Sequence, residues 1–243
     1  MENTEITLGA FEEMYRGRVG ESGDIAAFFS LFEVLAEYNA KFNLTAIRTP
    51  EDFLSKHAAD CIAAAEFIRP LIKSGSATLL DVGSGAGFPA LPIAISLPEI
   101  SVTALDSTAK KIAYITEAAR RVGCANVTGI TGRAEEIAAD PAMRESFDFV
   151  TARAVARLNV LMELCAPFVK VGGYFIAMKG AQAAEEAAEA AHAVSILGFS
   201  APEIRPYSLP MLDDSRAFVC CRKVSPTPDR YPRQYAKIVK IPL

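Results

Sequence analysis

The sequence predicts an α/β protein: a mostly parallel sheet with helices on both faces, preceded by a helical N-terminal region. Three observations carry that reading. From residue 78 onward, short apolar runs alternate with helical stretches, as in successive β-α units. The first 72 residues show helical spacing. After residue 200 two strand-like runs follow one another with no helical pattern between them, which ends the sheet in an antiparallel hairpin. The organisation reads as a helical region at 1–75, a sheet domain at 76–225 and a basic tail at 226–243.

The elements follow in order. Residues 24–40 place Ile25, Phe28, Phe29, Phe32, Leu35 and Ala36 on one helical face, behind Asp24 as N-cap. Thr49 and Pro50 open a second helix over 50–69. Residues 73–76 form a short polar joint. Strands at 78–83, 101–106, 126–132, 147–154 and 172–180 then alternate with helices at 89–97, 108–122, 134–139, 158–169 and 182–197. Eight alanines and three glutamates within 181–193 make the last helix intrinsically strong. The two closing strands are 203–209 and 216–224, and residues 225–243, with four prolines, read as an extended tail.

Composition narrows the function classes. A chain of 243 residues, 51% hydrophobic and 22% charged, is neither disordered nor collagen-like, and its core needs no staple. It contains no run of about 18 uncharged apolar residues, so no membrane helix is expected. The acidic N-terminus lacks a signal-peptide core, and a cytoplasmic location is expected. Five cysteines, odd in number and without Cys-x-x-Cys spacing, read as buried free thiols. Two distant histidines, His57 and His192, argue against a zinc site, and no metal is expected. Charge is unevenly placed. Residues 1–40 carry eight acids and two arginines, whereas 215–243 carry seven bases and one acid. That basic end reads either as a phosphate-contacting surface or as a solvated edge strand and tail.

The segment Asp81-Val82-Gly83-Ser84-Gly85-Ala86-Gly87-Phe88-Pro89 joins the first strand to its helix. Closely spaced glycines allow a sharp turn and let a ligand sit against bare main chain, near free N–H groups of the next helix. The spacing is Gly-x-Gly-x-Gly, unlike the Gly-x-Gly-x-x-Gly of dinucleotide binders. Asp106 ends the second strand, where a carboxylate can accept the hydroxyls of a ribose. Together these features point to S-adenosylmethionine (SAM), with a nicotinamide cofactor or a purely structural turn as the alternatives. Two further loops face the same crevice beyond the strand ends. Gly132-Arg133-Ala134-Glu135 is placed to meet an adenine, although Glu135 also suits a helix first turn. Arg153 and Arg157 follow the fourth strand and suit phosphate or a planar base.

Missing motifs restrict the chemistry. After the fourth strand the chain reads Thr-Ala-Arg-Ala-Val-Ala-Arg rather than the Asn/Asp-Pro-Pro-aromatic run used on adenine amino groups. Cys165 lies mid-helix and reads as core rather than as the nucleophile needed for pyrimidine carbon-5 transfer. A purine N7 needs neither, because its in-plane lone pair carries no proton. Orientation alone contributes roughly 7–11 kcal/mol to such a step.

These residues resemble the RsmG/GidB family of bacterial 16S rRNA guanine-N7 methyltransferases, which act on position 527 in the 530 loop. The likeness runs from about residue 30 to about residue 233. Its blocks are Asn43-Leu44-Thr45-Ala46-Ile47, His57-Ala58-Ala59-Asp60, residues 79–89, Asp106-Ser107 with Lys110-Lys111, residues 132–135, Phe147-Asp148 with Arg153-Ala154, Lys179-Gly180 and Tyr231-Pro232-Arg233. The resemblance implies a Rossmann-like class I SAM-dependent methyltransferase sheet behind an N-terminal helical region. It implies SAM contacts from Gly83, Phe88, Asp106, Ala134, Glu135 and Arg153 along the loop containing Gly85, with Ser107 and Thr108 beside Asp106. It also implies 16S rRNA or the 30S subunit as partner, with Arg133, Lys179 and Arg233 as RNA-contacting candidates. Arg133, Arg153 and Lys179 are the candidates for orienting the reaction. Arg153 serves either the SAM carboxylate or the RNA, and His57 either faces the crevice or, as the favoured reading, is a buried, hydrogen-bonded helix residue. Phe42, Tyr231 or another exposed aromatic is expected to stack on the target base. The family's Phe-Pro-Gly reads Phe88-Pro89-Ala90 here, and the tail after Arg233 lacks the family's Gly, Pro and Lys richness. The rival functions are a NAD-dependent oxidoreductase, a SAM methyltransferase of another RNA base, and an idle SAM-sensing or RNA-binding module.

Overall fold

The computed structural model describes residues 6–20, 23–73, 75–210 and 212–243. Residues 1–5, 21, 22, Ser74 of the polar joint and Met211 of the 209–215 loop lie outside these described residues.

Helix α1 (Leu8–Arg18) starts on Thr7, whose hydroxyl accepts the Ala10 N–H at 3.3 Å, and buries Phe11 and Tyr15 one turn apart. Only these two aromatics mark its inner face, so the sequence signals a helical region there without this separate element. Helix α2 (Ile25–Phe42) starts on Asp24, which caps the Ala27 N–H at 3.0 Å, and ends on Asn43 at φ 48°. The expected helix over 50–69 is one rod in three parts: α3 (Pro50–Asp52), a π-helical stretch Phe53–Ala58 and α4 (Ala59–Ile68). The wider π turn carries His57, and such turns re-aim side chains.

The sheet domain runs β1 (Thr78–Val82), α5 (Ala90–Ser96), β2 (Ser101–Asp106), α6 (Ala109–Val122), β3 (Val127–Thr131), α7 (Ala134–Ile137), β4 (Phe147–Arg153), α8 (Leu158–Cys165), β5 (Val169–Lys179), α9 (Ala183–Glu189), α10 (Ala191–Ile196), β6 (Glu203–Tyr207) and β7 (Arg216–Arg222). Helix α11 (Tyr235–Lys240) closes the chain. The strand order is β3-β2-β1-β4-β5-β7-β6 among the described residues. Strands β1 to β5 pair in parallel, and β7 runs antiparallel to both β5 and β6. Leu79 to Val82 are buried on both faces, as a central parallel strand requires.

Three expectations are corrected. The basic run 216–222 is an interior strand, and β6 is the edge, because β7 inserts between β5 and β6. The Ala-rich stretch breaks at Ala190 (φ −81°, ψ 0°) into α9 and α10. The tail is not wholly extended: α11 forms where Ile238 is buried in the cluster that includes α8, so tertiary packing overrides the proline-rich composition.

Two hydrophobic clusters flank the sheet. One joins the N-terminal helices to α5 and α6, with Phe11, Phe28, Phe53, Leu91 and Ile115 among its members. The other joins α8, α9 and α10 to the tail through Tyr231 and Ile238. Among the described residues no helix is long and apolar enough to cross a membrane. The order reverses between β1 and β4, and such a switch point opens a crevice beyond the strand C-termini.

Candidate functional site

That crevice holds a cavity of about 470 Å³, within the range of small-molecule sites. Its floor is the glycine loop. Gly83, Gly85 and Gly87 have φ of 73°, 58° and 81°, a region that side chains rarely enter. The Gly83 and Ser84 N–H groups both donate to Leu105 O, at 2.8 and 3.0 Å, which fastens the loop to the end of β2. A Cβ at Gly83 would strike Val155 at 2.7 Å, and one at Gly87 would strike Leu91 at 2.6 Å. A Cβ at Gly85 would meet only Gly83 O, at 3.8 Å, so the bare main chain there leaves open space on the cavity wall.

Asp106 is nearly buried and lines the same cavity. Its Oδ2 accepts the Gly85 N–H at 3.0 Å and its Oδ1 the Thr108 N–H at 2.9 Å; the Lys111 ammonium stands 3.5 Å away. A carboxylate offers about four lone-pair sites, so acceptor capacity remains for a ribose hydroxyl. The glycine cradle and this acid fit a nucleoside. Beneath the loop, Asp81 Oδ1 accepts the Thr151 hydroxyl at 2.9 Å while Oδ2 is buried without a partner. Burial pushes the Asp81 carboxyl up to about 6.

The cavity is lined by Gly83, Gly85, Phe88, Asp106, Ser107, Thr108, Arg133, Ala134, Glu135 and Arg153, all of them sequence candidates. Arg153, however, is turned inward. Its Nε reaches Asp60 Oδ2 at 3.2 Å, Nη1 reaches Cys61 Sγ at 3.1 Å, and Nη2 reaches Lys56 O at 2.7 Å and His57 Nδ1 at 3.1 Å. Buried Asp60 also accepts from Tyr207 Oη at 2.6 Å and pairs with Arg216 at 3.0 Å. Three of the five guanidinium N–H groups are thereby hydrogen-bonded, and Nε is ion-paired.

Lys179 and Arg233 do not line the cavity, and each has internal partners. Lys179 Nζ donates to Ala156 O and to Glu186, both at 2.7 Å. Arg233 grips fully buried Glu163 through Nε at 2.8 Å and Nη2 at 2.6 Å, pinning the tail to α8. Arg157 pairs with Glu189 at 2.6 Å and also stands outside the cavity lining. Of the seven bases in 215–243, Lys223 is buried against Ala166 O at 2.8 Å, and burial pushes it down to about 8. Cys165 is buried and its thiol pKa is pushed up by that burial.

Thr45, His57 and Tyr235 also line the cavity. Thr45 sits on the wall because buried Asn39 clamps its loop: Asn39 Oδ1 accepts the Thr45 N–H at 2.9 Å and Nδ2 donates to Ile47 O at 3.1 Å. Its signal was the Asn43–Ile47 block. His57 stacks on Phe88 with ring centroids 4.3 Å apart and planes 12° apart. Burial, then the Arg153 charge, pushes its pKa down to about 3. Tyr235 reaches the wall from α11, 102 positions beyond Arg133, and no local pattern announces that approach.

Comparison with known proteins bears on this architecture. The family model described as "GidB: rRNA small subunit methyltransferase G" matches residues 24–210. The ribosomal RNA small subunit methyltransferase G of Lactobacillus johnsonii is 42% identical over 216 residues, covering 89% of this chain and 90% of that protein. The protein of the same description from Acetivibrio thermocellus is 43% identical over 219 residues, covering 90% of this chain and 88% of its own length. Among solved structures, a 16S rRNA (adenine(1408)-N(1))-methyltransferase from Catenulisporales acidiphilia superposes with TM-score 0.52 at 17% identity, over 68% of this chain and 91% of that one, a likeness of fold. With a family match spanning most of the sheet domain and helices α2 to α4 before it, and relatives above 40% identity along nearly nine-tenths of their lengths, the chain belongs to the GidB family of rRNA small subunit methyltransferase G proteins.

Proposed function

We propose that the protein transfers the methyl group of SAM to N7 of a guanine in 16S rRNA, position 527 of the 530 loop, acting in the cytoplasm on the rRNA or the 30S subunit. The observation that carries this reading is the convergence of Gly85, Asp106 and Arg133 on one cavity at the β1/β4 switch point. SAM supplies a methyl carbon made electrophilic by its sulfonium. The glycine loop gives that nucleoside a close main-chain approach. Asp106 receives ribose hydroxyls, and the 134–135 turn meets the adenine edge.

The chain's own residues then orient and desolvate. The N7 lone pair forms the new bond to the methyl carbon, and the carbon–sulfur electron pair returns to sulfur. No proton moves in that step, so no base is required. The residues agree: His57 is held neutral at pH 7 and has both ring nitrogens engaged, and Cys165 is a buried core thiol. Arg133, exposed at the cavity edge, and Lys111, beside Asp106, set a positive rim toward a polyanion. The Gly-x-Gly-x-Gly spacing and the antiparallel β7 favour this reading over a nicotinamide enzyme.

The test is site mapping. Chemical cleavage at N7-methylguanine in 16S rRNA is expected at position 527 in cells carrying the protein, absent in cells lacking it, and restored by the gene. An unchanged cleavage pattern refutes the proposal.

A further inference from the structure

We propose that Tyr235, backed by the Arg133 guanidinium, is the platform on which the target purine stacks as it enters the cavity. The inference rests on the RNA-methyltransferase reading above and names the residue that receives the base.

A base in folded RNA becomes reachable when it is splayed out, and it is then held by stacking on an aromatic or guanidinium plane. Phe42 and Tyr235 are the exposed large aromatics among the described residues, at 47% and 42%. Phe42 does not line the cavity; Tyr235 does. Tyr231 is buried and does not line the cavity. Phe88 lines the cavity but is nearly buried and spends one face on His57.

Tyr235 is also held in place. Its helix is anchored by buried Ile238 and by the Arg233–Glu163 pair just before it. Arg133 lies 5.9 Å from the Tyr235 ring centroid, a cation backing the aromatic plane. Exposed Lys237 and Lys240 on the same short helix offer charge to the flanking phosphates. The chemistry is that of an unpaired purine nucleotide: a flat ring for Tyr235 and phosphates for the cations around it.

The experiment measures steady-state methyl transfer to 16S rRNA and SAM affinity for the full chain, Tyr235→Ala and Tyr235→Phe. Tyr235→Ala is expected to raise KM for the RNA by roughly 5- to 150-fold, the effect of losing one base–aromatic stack, while SAM affinity stays within about twofold. Tyr235→Phe, which keeps the ring, is expected to restore KM to within about threefold of the wild type. Three results overturn the proposal: a wild-type KM in Tyr235→Ala, equal defects in Ala and Phe, or a matching loss of SAM affinity in Tyr235→Ala. Absence of transfer to a guanine by the wild-type protein itself defeats the parent reading and, with it, this one.

Discussion

Arg153 Nη2 lies 3.1 Å from His57 Nδ1, and this contact sets the tautomer of the histidine. An arginine only donates, so Nδ1 must accept and Nε2 carries the hydrogen. That hydrogen faces Thr45 Oγ1 at 3.2 Å, which also accepts the Ile47 N–H at 3.2 Å. With both lone pairs of Thr45 used, its own O–H remains to donate on the cavity wall. One buried guanidinium thus orders a chain of three residues ending at the ligand space.

Arg153→Ala should therefore cost stability as well as activity. It takes one of two cations from buried Asp60, which keeps Arg216 and the Tyr207 hydroxyl, a loss of about 1.5–3 kcal/mol, the worth of a bond to a charged group. For a chain of this length that lowers the melting temperature by roughly 3–12 °C. Calorimetry checks it. An unshifted melt with activity abolished would mean that the guanidinium serves the ligand rather than the scaffold.

Asp106→Ala should weaken SAM binding by roughly 10- to 150-fold, the worth of a hydrogen bond to a charged group. It also releases the Gly85 and Thr108 N–H groups that the carboxylate now holds. Asp106→Asn keeps one acceptor oxygen and should fall between. Titration calorimetry decides, and unchanged affinity in the alanine variant removes Asp106 from the site.

Arg233→Ala should act first on folding. It strands the fully buried Glu163 carboxylate, at a cost of about 3–5 kcal/mol. Adding Glu163→Gln in the same chain should recover part of the loss, because the stranded charge is gone. Melting temperatures of the single and double variants test this. Equal stability of Arg233→Ala and wild type would free Arg233 for RNA.

Acid stability should show two opposed titrations. His57 is pushed from 6.5 down to about 3, so between those values the unfolded chain binds a proton that the folded chain does not. Its contribution falls as pH drops, by up to about 1.4 kcal/mol per pH unit. Asp81 is pushed from 3.8 up to about 6, so over that window the folded chain holds the extra proton and stability rises as pH drops. The two slopes cancel where the windows overlap. Asp81→Asn should uncover the histidine, steepening the loss of stability between about pH 6 and pH 4 in urea titrations. A slope equal to the wild type's contradicts the assignment.

The β-α alternation, the glycine loop and Asp106 were legible because each is a local pattern. A glycine at positive φ, an acid at a strand end and an apolar run between turns act within a few residues of themselves. The cationic candidates were not legible to the same depth. Charge counting treats every base as free, whereas Arg233 meets Glu163 across 70 positions and Lys179 meets Glu186 beyond a turn. Lys223 counted toward a basic surface and lies in the core.

Amino-acid order alone thus determined the fold class and the positive-φ glycine loop with the acid at the end of β2. Tertiary structure alone decided which cations stay available, which tautomer His57 takes, and that Thr45 and Tyr235 reach the cavity from opposite ends of the chain. The reason is physical: backbone conformation is set by near neighbours, while the pairing of a buried charge and the exposure of a ring depend on whatever the folded chain packs against them.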